Sequence, residues 1–231
     1  CGGRAGEIWR RFRKNKLAVF GMILFALILL VAIFADAIVN YSVATTQVAA
    51  DRLLSPNAEH WFGTDNYGRD LFARIVHGSR NSLLVGFGSV AIGVVLGGLL
   101  GAVCGYVGGR FDAIMMRVLD SIMCIPSMMM ALAIVAALGS SLVNVLLAMT
   151  ISNVPWYCRI IRSSVLGVTG QTYIEAARSC GTSDFQIIMT HVLPNAMGPI
   201  IVQATMGIGG AIISAAGISF VGMGIQPPAP E

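Results

Sequence analysis

The 231 residues are 56% hydrophobic and only 11% charged, with a formal net charge of +4 and a mean hydropathy of +0.78. An average soluble domain is about 25% charged, so a soluble globular enzyme is excluded and an integral membrane protein is expected. The basic excess does not point to nucleic acid, because the Lys and Arg residues flank apolar runs, where they orient membrane segments.

Cys1 opens the chain, ahead of Arg4, Arg10, Arg11, Arg13, Lys14 and Lys16. A lipidated cysteine is disfavoured there. A basic cluster followed by a full-length span reads as a cytoplasmic tail. Cys104, Cys124, Cys158 and Cys180 follow without paired C-x-x-C spacing, so neither a disulfide framework nor a metal site is expected.

Charge-free runs are then matched to the roughly 20 apolar residues that cross a bilayer. Leu17 to Ala35 is the first and Ser82 to Gly109 the second. Ser121 to Cys158 is too long for one ordinary helix and breaks at Gly139-Ser140-Ser141. Val192 to Pro230 is the last, with Pro227-Pro228 ending its helix. Five spans are expected, at 17–39, 82–107, 115–138, 142–161 and 198–222. Arg110 and Arg117, and then Arg159, Arg162 and Arg178, share the side of the opening basic cluster, which is therefore the inside. The chain divides into a cytoplasmic tail at 1–16, a first transmembrane helix at 17–39, an external loop at 40–81 and a membrane core at 82–231. The last residues, "GIQPPAPE", would lie outside, and a sixth span is expected beyond them.

Within the external loop, "HWFGTDNYGRDLFARIVHGSRNSL" begins with two turns, at Gly63-Thr64-Asp65 and Gly68-Arg69-Asp70. Leu71, Phe72, Ile75 and Val76 then give an apolar face, expected of a short amphipathic helix on the membrane surface. His60 and His77 lack a third ligand and read as hydrogen-bonded histidines. In the second span Gly93, Gly97, Gly101, Gly105 and Gly109 recur every four residues. That spacing makes a small-residue packing face on which another helix can approach closely. Near the inner surface Arg117 and Asp120, three apart, are expected to pair on one helix face. Asp112 beside them and Asp36 at the outer end of the first span read as structural charges, and Met128-Met129-Met130 as adaptable packing.

Between the fourth and fifth spans lies a polar insert, 162–197. Tyr173 to Cys180 reads as a short helix stopped by Gly181. Ser183 and Gln186 form a capping box that starts a second helix. Phe185, Ile188, Met189 and Val192 give that helix one apolar stripe, and Pro194 closes it. A loop of this length with its own capped helices is uncommon without a job. Docking into a groove of a soluble partner is the expected one.

These residues resemble the EAA loop of bacterial ABC importer permeases. Glu175-Ala176-Ala177, Gly181 and Leu193-Pro194 match its pattern, and His191 stands where the general pattern has isoleucine. "HVLPN", "GTDNYGRDLFARIVHGSRNSL" and "FVGMGIQPPAPE" are similar to the second permease subunit of the oligopeptide/dipeptide/nickel branch, and the resemblance covers nearly the whole chain. It implies an all-α polytopic membrane bundle of the type I (MetI-like) class. It also implies a homologous second permease subunit, two cytoplasmic ATPase subunits, an extracytoplasmic solute-binding protein and a bacterial inner-membrane location. Glu175, Ala176, Ala177, Arg178, Gly181, Ser183, Asp184, His191 and Pro194 would then couple to the ATPase.

No G-x-x-x-x-G-K-[ST] occurs, so the chain itself should hydrolyse nothing and hold no cofactor. ATP and Mg would be bound by the ATPase subunits. The solute is expected to be a peptide, with nickel, a metal chelate, glutathione or an opine left open. An ion-gradient-driven transporter, the alternative from another class, would need charges at mid-depth in the spans. An intramembrane enzyme would need a reactive constellation within them, and all three histidines lie in loops.

Overall fold

The structure, a computed structural model, describes residues 9–10 and 12–230. Cys1 and the basic residues Arg4 and Arg11 lie outside them. Two compact units are present, residues 1–81 with 227–231, and residues 82–226.

In the first unit α1 (Lys16–Ile33) begins where the Asn15 side chain accepts the Ala18 amide at 3.2 Å, which satisfies one of the orphan donors of the first turn. Apolar side chains surround α1 on every side, and Leu17, Phe20, Ile23, Leu27 and Leu30 are all exposed, as suits a helix bathed in hydrocarbon. The helix stops at Ile33 instead of reaching 39, and α2 (Ala35–Ile38) and α3 (Tyr41–Thr45) follow as separate short turns. Arg80 accounts for the stop. Its guanidinium donates to the Ala32 carbonyl, to the Ile33 carbonyl at 2.9 Å and to the Asp36 carboxylate at 2.7 Å. A cation is favourable against the last carbonyls of a helix. The His77 Nε2 donates to the Val39 carbonyl at 2.8 Å.

The "GTDNYGRD" stretch is a built turn. Asp65 accepts the Tyr67 amide at 2.8 Å, the Arg69 amide at 3.0 Å and the Arg69 Nε at 2.7 Å. Gly68 has φ +73° and stands where an added Cβ would lie 1.9 Å from the Val48 carbonyl, so only glycine fits. Asp70 caps the next helix, accepting the Ala73 amide at 2.7 Å, while its other oxygen meets His60 Nδ1 at 2.8 Å. That helix, α4 (Leu71–Val107), runs for 37 residues without interruption. The expected separate surface helix and second span are therefore one element, since no proline intervenes to part them. Ala73, Val76, His77 and Gly78 are its buried positions in this stretch, and Ile75 is exposed.

In the second unit, α5 (Gly109–Met123) and α6 (Ser127–Leu138) meet at a bend of 78°. One straight span at 115–138 was expected. Pro126 lacks an amide hydrogen and disfavours helical geometry at Ile125, so the helix breaks there. After Gly139, φ +90°, Ser141 caps α7 (Leu142–Thr169) by accepting the Asn144 amide at 3.2 Å. Pro155 lies inside α7, and nearby polar side chains bond back to the helix: Thr150 to Leu146 O at 2.8 Å, Ser152 to Ala148 O at 2.8 Å. The final helix, α10 (Leu193–Phe220), ends at Phe220, before Pro227-Pro228, and Gly222 follows with φ +83°. Among the described residues three helices are long and apolar enough to cross a membrane, or four if the bent pair is one span. α7, expected as the fourth of five spans, falls outside that set, because Asn144, Thr150, Ser152, Asn153 and Arg159 dilute its apolar composition.

Two clusters hold this unit. One gathers Val135 of α6, Val145 and Met149 of α7, and Ala211, Ala215 and Ile218 of α10. Between α4 and α7 three glycines bring backbone close to backbone. A Cβ on Gly97 would lie 2.8 Å from the Val154 carbonyl, one on Gly101 2.4 Å from the Cys158 carbonyl, and one on Gly105 2.9 Å from the Arg162 carbonyl. Gly93 faces the Tyr157 ring at 3.1 Å, whereas Gly109, with φ +61°, meets nothing within 4 Å and stands apart from the seam.

Gly101→Ala is expected to separate α4 from α7 and to abolish recovery of monodisperse protein in detergent. Gly21→Ala, where a Cβ meets nothing within 4 Å, should behave as the parent does. In the first unit, partial burial opposes ionisation of Asp65, yet the Arg69 and Tyr67 amides and the Arg69 guanidinium hold its carboxyl below the ordinary carboxylate value. Its stabilisation is therefore complete above that ordinary value and is lost as pH falls through the lowered one. Asp65→Asn should cost about 1–3 kcal/mol, read as faster amide exchange at Tyr67 and Arg69 at neutral pH.

Candidate functional site

The insert between α7 and α10 folds as two short helices, α8 (Thr172–Ser179) and α9 (Asp184–Ile187), joined at Gly181. The joint is a Schellman turn. The Thr182 amide donates to the Ala177 carbonyl at 3.2 Å and the Gly181 amide to the Arg178 carbonyl at 3.0 Å. Gly181 has φ +79°, the left-handed geometry this turn needs and glycine adopts without strain. Ser183 caps α9, its hydroxyl accepting the Gln186 amide at 3.4 Å.

The start of α10 departs from expectation. Pro194 does not close a helix; it sits in the first turn of α10. Ahead of it, Ile188–Val192 form a π turn, and the Leu193 amide reaches back to the Ile188 carbonyl. Proline supplies no amide to the ladder, and the wider turn carries the chain past it without a break. The Asn195 side chain donates to the His191 carbonyl at 2.6 Å.

This π turn rotates the apolar stripe. Ile187 and Val192, five residues apart, are both fully buried, and Ala196 and Ile200 continue the buried line. They pack with Ile174 of α8, Ile161 and Val165 of α7, and Ala102 of α4. The expected stripe survives only at Val192 and the half-buried Ile188. Phe185 is 75% exposed and Met189 50%, on the outer side of the insert. Tyr173 is exposed as well.

Sequence reasoning missed the residue that ties the two short helices together. The Tyr106 hydroxyl, at the end of α4, donates to the Asp184 carboxylate of α9 and accepts from Arg178 of α8 at 3.1 Å. The Arg178 guanidinium also lies over the Tyr106 ring, 5.4 Å from its centroid. The bond to Tyr106 raises the guanidinium above its ordinary value, so Arg178 stays charged. Glu175 and Ala176 remain exposed beside it, and Glu175 makes no side-chain hydrogen bond among the described residues. The only early sign of Tyr106 was a tyrosine with a polar tip at the end of an apolar run.

Two ion pairs tie α5 to the same end of α7. Asp112 accepts from the Arg162 guanidinium through both oxygens, and Asp120 pairs with Arg159. The expected Arg117–Asp120 pair gives way to the second of these. Arg159 reaches Asp120 from the neighbouring helix, while Arg117 shares only the weak geometry of adjacent turns.

Residues 93–231 match the family described as binding-protein-dependent transport system inner membrane component. Residues 4–56 match the N-terminal TM domain of oligopeptide transport permease C. The dipeptide transport system permease protein DppC of Alkalihalophilus pseudofirmus is 46% identical over 225 residues, 97% of this chain and 74% of that protein. The probable D,D-dipeptide transport system permease protein DdpC of Escherichia coli strain K12 is 42% identical over 97% of this chain and 74% of its own length. The glutathione transport system permease protein GsiD of Escherichia coli O6:K15:H31 is 43% identical with the same coverage.

Tyr106→Phe removes the hydroxyl that bridges Arg178 and Asp184. Faster deuterium uptake across 172–186 is expected, with uptake across 142–158 unchanged, in exchange measured by mass spectrometry. The loss should be about 0.5–1.5 kcal/mol of local opening free energy.

Proposed function

The chain belongs to the binding-protein-dependent transport system inner membrane components, and from that premise we propose that it forms half of a transmembrane path for short peptides and is driven through its insert by cytoplasmic ATPase subunits. As a permease subunit of an ABC importer, with the all-α type I (MetI-like) fold, it is a multi-pass membrane protein and catalyses no reaction itself. Importers of this family work with ATPase and substrate-binding proteins. A homologous second permease and a pair of ATPase subunits holding ATP and Mg complete the proposed complex, in the bacterial inner membrane. Dipeptides, D,D-dipeptides and glutathione, named for the relatives, share a short peptide chain, and that class is the proposed cargo.

One observation carries the coupling role: the insert is packed and hydrogen-bonded beneath and exposes apolar side chains above. Below, Ile174, Ile187 and Val192 are buried and Tyr106 holds Arg178 and Asp184. Above, Phe185, Met189 and Tyr173 are exposed together with Glu175. An exposed aromatic anchor ringed by polar groups is what a helix offers to a groove on a partner. A stiff base would pass a push from that groove into α7 and α10 without absorbing it.

Phe185→Ala and Glu175→Ala are expected to lower ATP-driven peptide uptake in proteoliposomes at least about tenfold, the effect of losing an interface anchor of roughly 1.4 kcal/mol or more. Phe185→Ala should also reduce co-purification of the ATPase subunits. Full uptake with undiminished ATPase retention in both variants overturns the coupling role.

A further inference from the structure

Two cavities open on α7. One, of about 350 Å³, lies against the bend between α5 and α6 and includes Ser127, Ser152, Asn153 and Trp156 in its lining. The other, of about 270 Å³, lies between α7 and α10 and includes Asn153, Trp156, Gln203 and Ser214. Asn153 and Trp156 belong to both, so the two form one furrow across α7. Together they reach the size of a small-molecule cleft, about 300–1,000 Å³.

The furrow differs chemically from the rest of α10. Gln203, Gly207, Gly210 and Ser214 recur at helical spacing on the cavity side. The face of α10 through Ile201, Val202, Ile213 and Phe220 is strongly exposed and apolar, and the hydroxyl of Thr205 on that face is satisfied by the Ile201 carbonyl of its own helix at 2.8 Å. The Gln203 amide makes no hydrogen bond among the described residues, and Asn153 ties only its Nδ2 to the Met149 carbonyl, at 2.9 Å. An amide facing hydrocarbon without a partner is costly, so this side is matched to water or a polar solute and the Ile213 side to lipid. Gly210 leaves open space where a Cβ would stand. No Asp, Glu, Lys, Arg or His lines either cavity.

We propose that this furrow is the stretch of solute path that the chain lines, and that Asn153 and Gln203 hydrogen-bond the main-chain amides of the passing solute. The inference rests on the peptide-permease reading and adds its recognition chemistry. Side-chain amides pair with N–H and C=O groups that every peptide carries. With no charged residue in the furrow, charged and neutral peptides meet the same contacts. Trp156, 49% exposed, and Met206, 69% exposed, add walls that adapt to different side chains.

The test uses the assembled complex, with its ATPase subunits and binding protein, in proteoliposomes. Gln203→Cys, Ser214→Cys and Asn153→Cys are compared with Val202→Cys and Ile213→Cys for reaction with a membrane-impermeant thiol reagent. Modification is read at the introduced position by mass spectrometry, since Cys124 and Cys180 are exposed thiols of the parent; the first three positions should react in at least one nucleotide state and be protected by alanyl-alanine during transport, while the last two stay unreactive. Gln203→Lys should lower uptake of lysyl-lysine relative to alanyl-alanine about tenfold, and Gln203→Glu should not, since one mismatched charge at a hydrogen-bonding site discriminates at least that strongly. Should Gln203→Cys fail to assemble, the other two cysteines decide the matter. Robust peptide uptake with positions 153, 203 and 214 unreactive or unprotected overturns this inference alone and assigns the furrow to lipid or to the second permease. A parent complex that hydrolyses ATP but moves no peptide overturns the peptide reading, and this inference with it.

Discussion

The second unit depends on a seam to which α4 brings glycines. Along α4 the residues at 97, 101 and 105 present bare backbone to the Val154, Cys158 and Arg162 carbonyls of α7. Within lipid no hydrophobic effect drives helices together, so close van der Waals approach has to supply the attraction. One methyl group at Gly101 would stand 2.4 Å from a carbonyl oxygen, far inside contact distance. The seam therefore fixes where α7 lies, and α7 in turn carries the rest. Its Tyr157 closes on Gly207 of α10, its Met149 and Val145 enter the first core cluster, and its Ile161 and Val165 form the floor under the insert.

The insert inherits its stiffness from that floor. Its two helices are too short to hold themselves, since isolated helices below about 12–15 residues are marginal in water. Three buried side chains, a Schellman turn and a single tyrosine hydroxyl supply what length cannot. The π turn at Ile188–Val192 is part of the same economy. It lets the chain pass Pro194 and leaves Phe185 and Met189 facing outward while Ile187 and Val192 face inward.

What could be read ahead of the structure was local. A glycine ending a helix, a serine starting the next and a charge-free run long enough for a bilayer are all decided within a few residues, as are the turns around Asp65. Expectation and structure part where distant groups compete with near ones. Arg117 lies three residues from Asp120, yet Arg159, 39 positions away, takes the carboxylate. Tyr106 and Asp184 are 78 positions apart, and no local pattern ties a tyrosine at one helix end to an aspartate in a later turn. Spacing by four sets the glycines of α4 on one face without saying which helix lies there. The stripe through Phe185 and Met189 assumed 3.6 residues per turn, and one wider turn ahead of Pro194 was enough to invert it. The helix breaks at Pro126 although the apolar run continues on both sides of it.

The paired bonds from α5 to α7 set a limit on movement. Asp112 and Asp120 lie two helical turns apart on one rod, and Arg162 and Arg159 grip both places. A rod pinned once can swing; a rod pinned twice cannot, unless an attachment lets go. On the far side of residues 124–126, α6 is held differently, by Ala131 and Val135 buried against α7 and α10, so the joint lies between a segment fastened by charge and one fastened by packing.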